Sequence, residues 1–228
     1  MTLSRREWLK RAGLLGVAAA ARPSTAAASP GAPQPPVAAA AAVREPLQTL
    51  TATEADILDA IVARLIPGDA NGPGATEARA AHYIDRALGG ALASSREAYA
   101  AGLAALDAYA RSSRGVPFAQ LPVADQDLVL TEVEAGVATG FGSSSTTFFE
   151  LVRSHTIQGT FCDPYYGGNA NFVGWDLIGY PGVRTVVTPD EQRMGITLKP
   201  NHRSAYDYGM FTKTSARAAS AEHLTNGD

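Results

Sequence analysis

The chain has 228 residues, a formal net charge of −3 and a single cysteine, Cys162. This weakly acidic balance argues against nucleic acid as a partner, and one cysteine excludes a disulfide bond within the chain. The length is sufficient for one domain with its own hydrophobic core.

Residues 1–28 have the order of features that an export signal needs. Arg5 and Arg6 lie in a charged region, a mildly apolar run of about ten residues follows, and Ala26-Ala27-Ala28 provides small residues for cleavage. The run is about half of the ~20 residues that a membrane-spanning helix requires, so we expect a signal rather than a permanent anchor. The segment resembles a twin-arginine signal, with Trp8 where such signals usually carry Phe.

Loss of residues 1–28 would remove five of the 19 basic and one of the 22 acidic residues, leaving a formal charge of −7. An anionic membrane surface is then also a poor partner. Residues 29–46 are rich in Ala and Pro, and we predict a linker because they cannot bury enough apolar surface to fold. We expect the folded domain over residues 47–211 and a disordered tail over residues 212–228.

Apolar residues at helical spacing predict about five helices and an all-α fold, a small orthogonal or bundle-like array. We place these helices at residues 50–66, 75–88, from a cap at Ser94 or Ser95 to about 112, 122–136 and 146–158. Thr51 and Glu54 fit a capping box at the first helix. Strand patterns are nearly absent, and only residues 184–187 fit a short extended piece.

The most informative segment is FCDPYYGGNANFVGWDLIGYPG, residues 161–182, which we call the aromatic loop. Its aromatic side chains either bind a partner or fold inward and hold the loop on the helices, and the residues alone leave both alternatives open. Six residues are candidates for partner contact: Asp163, Tyr165, Tyr166, Asn169, Phe172 and Trp175. Six others are expected to shape the loop: Pro164, Gly167, Gly168, Gly174, Pro181 and Gly182.

No set of catalytic, cofactor-binding or metal-binding residues is readable. Cys162 follows His155 by seven residues, but a lone cysteine after an apolar helix is more often a small buried residue than a nucleophile. His155 lies on an apolar helix face and is predicted to be a core histidine. The oxygen-bearing side chains of the aromatic loop, Asp163, Asn169, Asn171 and Asp176, lack the spacing of an EF-hand calcium loop. Gly167-Gly168 follows no strand and forms no dinucleotide-binding motif.

Several motifs together are similar to the signature of the gluconate 2-dehydrogenase subunit 3 family. They are Leu65-Ile66-Pro67-x-Asp69, Ile84-Asp85, Phe118-x-x-Leu121, Phe161 with Asp163-Pro164-x-Tyr166-Gly167-Gly168-Asn169, and Gly174-Trp175-x-x-Ile178-Gly179-x-Pro181-Gly182. The resemblance extends over nearly the whole chain, and Cys162 stands where a small residue is expected.

The resemblance implies the non-catalytic small subunit of a periplasmic flavoprotein dehydrogenase. FAD would be in the large subunit and haem c in a multi-haem cytochrome c subunit. The small subunit would supply the signal for the twin-arginine (Tat) export machinery, assist maturation of the large subunit, and associate with the membrane through its partners. On this basis we favour a partner contact for Trp175 and Tyr166. Two alternatives stay open: a stand-alone periplasmic sugar-binding module, or a small hydrolase that uses Cys162 or His155.

Overall fold

The structure is a computed structural model that describes residues 46–142 and 144–212. Within these ranges it contains seven α-helices and no β-strand, and the predicted all-α class is confirmed. The helices are α1 (Ala52–Leu65), α2 (Ala80–Leu88), α3 (Arg96–Arg114), α4 (Val123–Glu134), α5 (Ser145–Phe161), α6 (Val173–Leu177) and α7 (Gly209–Thr212). Residues 184–187 form no strand. The predicted signal, and the predicted linker and tail apart from Pro46 and Thr212, lie outside the described residues.

The five longer helices, α1 to α5, bury one continuous hydrophobic core. Each contributes one apolar face at helical spacing, as the sequence predicts. The largest fully buried side chains are Leu58, Ile61, Val62, Ile84, Leu88, Tyr99, Leu103, Leu106, Phe118, Val129, Val133 and Val152. Burial of one large apolar side chain contributes roughly 1.5–3 kcal/mol, so this core is the main source of stability.

The predicted capping box at the start of α1 is present. Thr51 Oγ1 accepts a hydrogen bond from the Glu54 N–H at 3.3 Å, and Glu54 Oε2 accepts one from the Thr51 N–H at 2.8 Å. The Glu54 carboxylate also accepts two hydrogen bonds from Arg96 on α3, both at 2.9 Å. Burial raises the pKa of Glu54, but the bonds from Thr51 and Arg96 outweigh it and hold that pKa below its ordinary value. The cap therefore also joins α1 to α3.

The second helix begins later than predicted, at Ala80 instead of residue 75. Arg79 has the left-handed conformation, with φ of 60°, so residues 75–79 form separate turns before the helix. Gly74 packs so closely that a Cβ there would overlap the Ile66 carbonyl. The loop after α1 is thus folded against the end of α1, a contact that apolar spacing does not reveal.

Two other helix ends also differ from the prediction. Ser95 holds the N-cap position of α3, but its side chain makes no capping hydrogen bond because a 3-10 turn leads directly into the helix. Helix α5 continues three residues past the predicted end at Gln158, to Phe161. Gly159 lies inside α5 where α2 approaches, and a Cβ there would lie 3.0 Å from Ala80 Cα. In the sequence, Gly159 suggests the end of a helix. The close packing of α2 against α5 explains why a glycine is nevertheless found inside α5.

A buried carboxylate on α2 holds the start of the folded domain. Asp85 is 1% exposed and accepts hydrogen bonds from three consecutive backbone N–H groups, those of Gln48, Thr49 and Leu50, at 2.7, 2.9 and 2.7 Å. Such bonds compensate for the burial of the charge. They fix the point at which the chain enters α1.

Candidate functional site

The aromatic loop begins where α5 ends, and Asp163 fixes its first turn. Asp163 Oδ1 accepts a hydrogen bond from the Tyr165 N–H at 3.0 Å and caps the 3-10 turn Pro164–Tyr166. The carboxylate also accepts hydrogen bonds from Ser204 Oγ at 2.7 Å and from the Ala205 N–H at 2.9 Å. Asp163 therefore joins the aromatic loop to the C-terminal segment, and its oxygens are occupied within the chain.

Asn169 holds the middle of the aromatic loop against the end of α5. It is fully buried in the left-handed conformation, with φ of 43°, which Asn tolerates better than most residues. Its backbone N–H donates to the Gly159 carbonyl and its Nδ2 to the Cys162 carbonyl, both at 2.8 Å. Its Oδ1 accepts from the Gly174 N–H at 2.8 Å. Asn169 thus bonds to both arms of the loop.

Two predicted loop-shaping glycines lie where backbones approach closely. A Cβ at Gly168 would overlap the Gly159 carbonyl, and a Cβ at Gly174 would overlap the Thr160 carbonyl. Only glycine fits there without movement of the α5 backbone.

The other four predicted loop-shaping residues lie at turns. Pro164 is the first residue of the 3-10 turn, and Gly167 ends that turn with φ of 95°. The Pro181 carbonyl accepts a hydrogen bond from the Asn201 N–H at 3.1 Å. A Cβ at Gly182 would overlap the Asn201 side chain. The end of the loop is therefore packed against the C-terminal segment.

Trp175 lies inside the chain. It is 6% exposed, and its Nε1 donates a hydrogen bond to the Phe161 carbonyl at 2.9 Å. The ring packs edge-on against Tyr180, with centroids 4.7 Å apart. This geometry therefore does not support the partner contact that we favoured for Trp175. A side chain so buried, like that of Asn169, holds the loop on the helices and has almost no surface to offer a partner.

Phe172 is half-buried and has an uncommon backbone conformation. Its φ is 63°, which costs roughly 1 kcal/mol or more for a bulky residue. Its ring stacks on His202, with centroids 5.2 Å apart, and His202 Nε2 lies 2.7 Å from Asp176 Oδ1. These contacts within the chain hold the strained turn in place.

The tyrosines of the loop remain at the surface. Tyr165 is 55% and Tyr166 47% exposed. Tyr165 stacks on Tyr206, with centroids 3.7 Å apart, and the hydroxyls of Tyr166 and Tyr206 are hydrogen-bonded at 2.8 Å. We call Tyr165, Tyr166 and Tyr206 the tyrosine triad. Sequence reasoning missed Tyr206, because a contact across 40 residues of irregular chain has no local signal.

A cavity of about 610 Å³ opens beside the triad, between α2 and the end of α5. We call it the α2–α5 groove. The lining residues that matter most here are Tyr83, Arg86, Ile157, Phe161, Cys162 and Tyr166. Sequence analysis did not single out Tyr83, Arg86 or Ile157. One residue could have indicated the groove in the sequence. Ile157 is an apolar residue on the otherwise polar face of α5, and its side chain is 47% exposed.

The surroundings of Cys162 and of His155 disfavour a catalytic role for either residue. Burial raises the pKa of the Cys162 thiol to about 11, so it stays protonated at neutral pH. His155 is a core histidine, as predicted: it is 7% exposed, and its Nδ1 is hydrogen-bonded to the Tyr99 hydroxyl at 3.1 Å. Burial lowers the pKa of His155 and favours the neutral ring. The geometry therefore gives no support to the hydrolase alternative.

Among residues 46–142 and 144–212, no group of three or more His, Cys, Asp or Glu side chains is arranged as a metal site. Two of the oxygen-bearing residues considered for calcium, Asp163 and Asn169, use their oxygens within the chain. In the same ranges, no helix combines the length and the apolar character needed to cross a bilayer.

Comparison with known proteins gives one finding. A family model described as gluconate 2-dehydrogenase subunit 3 matches residues 52–182. The matched range is more than half of the chain and runs from the first residue of α1 to Gly182, the last residue of the aromatic loop. Searches of curated proteins and of solved structures gave no match.

Proposed function

Because the chain belongs to the gluconate 2-dehydrogenase subunit 3 family, whose name denotes one component of a multi-subunit dehydrogenase, we propose that it is the non-catalytic small subunit of a flavoprotein dehydrogenase complex. In this proposal a large subunit binds FAD and oxidises a sugar or sugar acid. A multi-haem cytochrome c subunit receives the electrons. The observation that carries the proposal is the match over residues 52–182. The protonated thiol of Cys162 and the hydrogen-bonded ring of His155 support a non-catalytic role.

The proposal includes a role in export and maturation. The small subunit carries the twin-arginine signal, and the large subunit travels with it through the Tat machinery to the periplasm. There the complex associates with the membrane through its partner subunits. Arg5 and Arg6 support this route. So does the single cysteine, because a domain that needs no disulfide can fold before export.

Export can be tested by replacing the twin arginines. The full chain would be expressed with the flavoprotein large subunit of the proposed complex, and both chains followed by cell fractionation. Arg5→Lys with Arg6→Lys should leave both proteins in the cytoplasm. Arg11→Lys with Arg22→Lys is the matched control, since it changes two arginines of the same segment outside the pair, and it should leave export intact. A flavoprotein that still reaches the periplasm with the twin-lysine variant would contradict the carrier role.

A further inference from the structure

We propose that the α2–α5 groove, whose lining includes Tyr166 of the tyrosine triad, binds the flavoprotein subunit, and that the bound element is an apolar segment flanked by carboxylates. This inference rests on the proposed function, because it takes the flavoprotein as the partner. It adds which face of the small subunit is used and the chemistry of the segment that fits it.

The groove presents apolar surface that the rest of the described chain does not cover. Tyr83 on α2 and Ile157 and Phe161 on α5 form its walls, with Tyr166 at one end. Ile157 and Tyr166 are each 47% exposed. The cavity of about 610 Å³ is within the ~300–1,000 Å³ range of typical binding sites. Apolar side chains from a partner would therefore remove a substantial area of these walls from water.

One charged side chain in the lining of the groove, Arg86, has no ion-pair partner among the described residues. Other arginines of the described helices have acidic partners within 3 Å: Arg64 with Asp127, Arg96 with Glu54, Arg111 with Asp107 and Arg114 with Glu132. Arg86 on α2 and Arg153 on α5 are exposed, and neither forms an ion pair with any residue in the described ranges.

One of the two unpaired arginines, Arg86, is a lining residue of the groove. Arg153 precedes Ile157 by about one helical turn, so these two residues lie on the same face of α5. Asp163, the acid in the lining, accepts hydrogen bonds from Ser204 and Ala205. The groove lining thus contains one unpaired basic side chain, Arg86, beside apolar walls, which is complementary to an acidic residue on a partner.

The composition of this surface is that of a protein-binding site. Tyrosine and arginine side chains dominate the energetic centres of interfaces, where they surround or enter apolar pockets. A sugar acid would need several free polar groups. Two polar groups of the groove are already joined to each other, since the Tyr83 hydroxyl donates to Gln158 Oε1 at 3.3 Å. The groove therefore suits large apolar side chains with adjacent carboxylates better than a small polar ligand.

The first test is co-purification of the full chain with the flavoprotein large subunit of the proposed complex. Ile157→Glu places a charge in the apolar wall and should reduce the recovered flavoprotein roughly tenfold or more. Arg86→Glu should reduce it several-fold at low salt and less at high salt. Leu128→Glu is the matched control, because Leu128 is 54% exposed on α4, away from the groove, and should leave recovery unchanged. Circular dichroism of each variant checks that it folds.

The second test identifies the bound segment. A photo-crosslinking amino acid at position 157 should attach to an apolar, acid-flanked segment of the flavoprotein, and one at position 128 should not. The proposal is overturned if folded Ile157→Glu recovers the flavoprotein in full. It is also overturned if position 157 crosslinks to residues 213–228 or to a second copy of this chain, or if gluconate binds the wild-type chain but not Arg86→Glu in calorimetry. If the wild-type chain recovers no flavoprotein, the proposed function itself fails, which distinguishes the two results.

Discussion

Different interactions stabilise the helical body, residues 50–161, and the C-terminal region, residues 162–212. In the body, apolar side chains from five helices fill one core. In the C-terminal region, Trp175 is the only large apolar side chain buried among the described residues. Hydrogen bonds hold that region instead, chiefly those of Asp163, Asn169 and Asn201.

The contrast locates the more adaptable part of the molecule. Several apolar side chains of the C-terminal region are exposed, including Val186 at 79% and Met194 at 101%. A region with few buried apolar contacts opens at a lower free energy than the core. The tyrosine triad and the α2–α5 groove lie at the junction, so a partner bound there would contact both the rigid body and the adaptable region.

The largest effect is expected in the body. Phe118 is fully buried, and Phe118→Ala should lower the free energy of unfolding by about 4 kcal/mol through lost burial and the cavity that remains. Val123→Ala, at a side chain 56% exposed, is the control and should change it by less than about 0.5 kcal/mol. Denaturant unfolding measures both. Similar effects of the two substitutions would contradict this description of the core.

The next effect is expected at Trp175. Trp175→Ala should cost about 3 kcal/mol, the low end of the range for a buried aromatic, because the loop can relax. Trp175→Phe keeps most of the apolar contact and loses the bond to the Phe161 carbonyl, so about 1 kcal/mol is expected. Hydrogen exchange should show faster exchange in residues 161–182 while the core of the body stays protected. If residues 161–182 exchange at the wild-type rate in Trp175→Ala, the anchoring role is wrong.

A smaller, local effect is expected at Asp163. Asp163→Asn places an amide NH₂ or a neutral oxygen opposite Ser204 Oγ and the Ala205 N–H, and should weaken their attachment by about 2 kcal/mol. Hydrogen exchange of residues 201–208 is the measurement. Asp176→Asn, which alters the exposed pair with His202, should cost under about 1 kcal/mol. Equal changes in the two variants would argue against a special role for Asp163.

The smallest effect is expected at Cys162. With a pKa of about 11 against an ordinary 9.0, its thiolate fraction at neutral pH is roughly a hundredfold lower. A less acidic thiol gives a more nucleophilic thiolate, so alkylation in the folded chain should be slower by roughly tenfold or more than in the unfolded chain. The rate should rise as pH approaches 11, and Asp163→Asn should raise it at neutral pH.

Cys162→Ser should keep dehydrogenase activity of the complex within about twofold, and a thousandfold loss would contradict the non-catalytic assignment.

The difference between the helical body and the C-terminal region also determines how much of each the sequence predicts. In the body, the Thr51–Glu54 cap and the five helices follow from local patterns, since each depends on residues within a few positions of one another. The late start of α2 does not, because the left-handed Arg79 depends on how the preceding loop packs. The glycines and Asn169 of the aromatic loop indicate an unusual backbone conformation. The sequence of the loop does not show whether Trp175 points inward.

The groove was harder to predict than the loop. It depends on two helices that are distant in sequence and meet at Gly159 and Ala80. Tyr83, Arg86 and Ile157 have no shared motif, and only their position in the fold brings them to one surface. Such a surface becomes visible from the unpaired Arg86 and the exposed Ile157 and Tyr166 once the helices are placed.

The most direct test of the central claim is purification of the full, tagged chain from cells that express it with the proposed flavoprotein large subunit, followed by assay of the complex and of the chain expressed alone. We predict that the flavoprotein is recovered in a fixed ratio to the tagged chain. The complex should contain flavin and reduce an artificial electron acceptor with a sugar or sugar acid, and the tagged chain alone should do neither. A chain that is recovered without the flavoprotein, or that reduces the acceptor by itself, would contradict its assignment as a non-catalytic subunit.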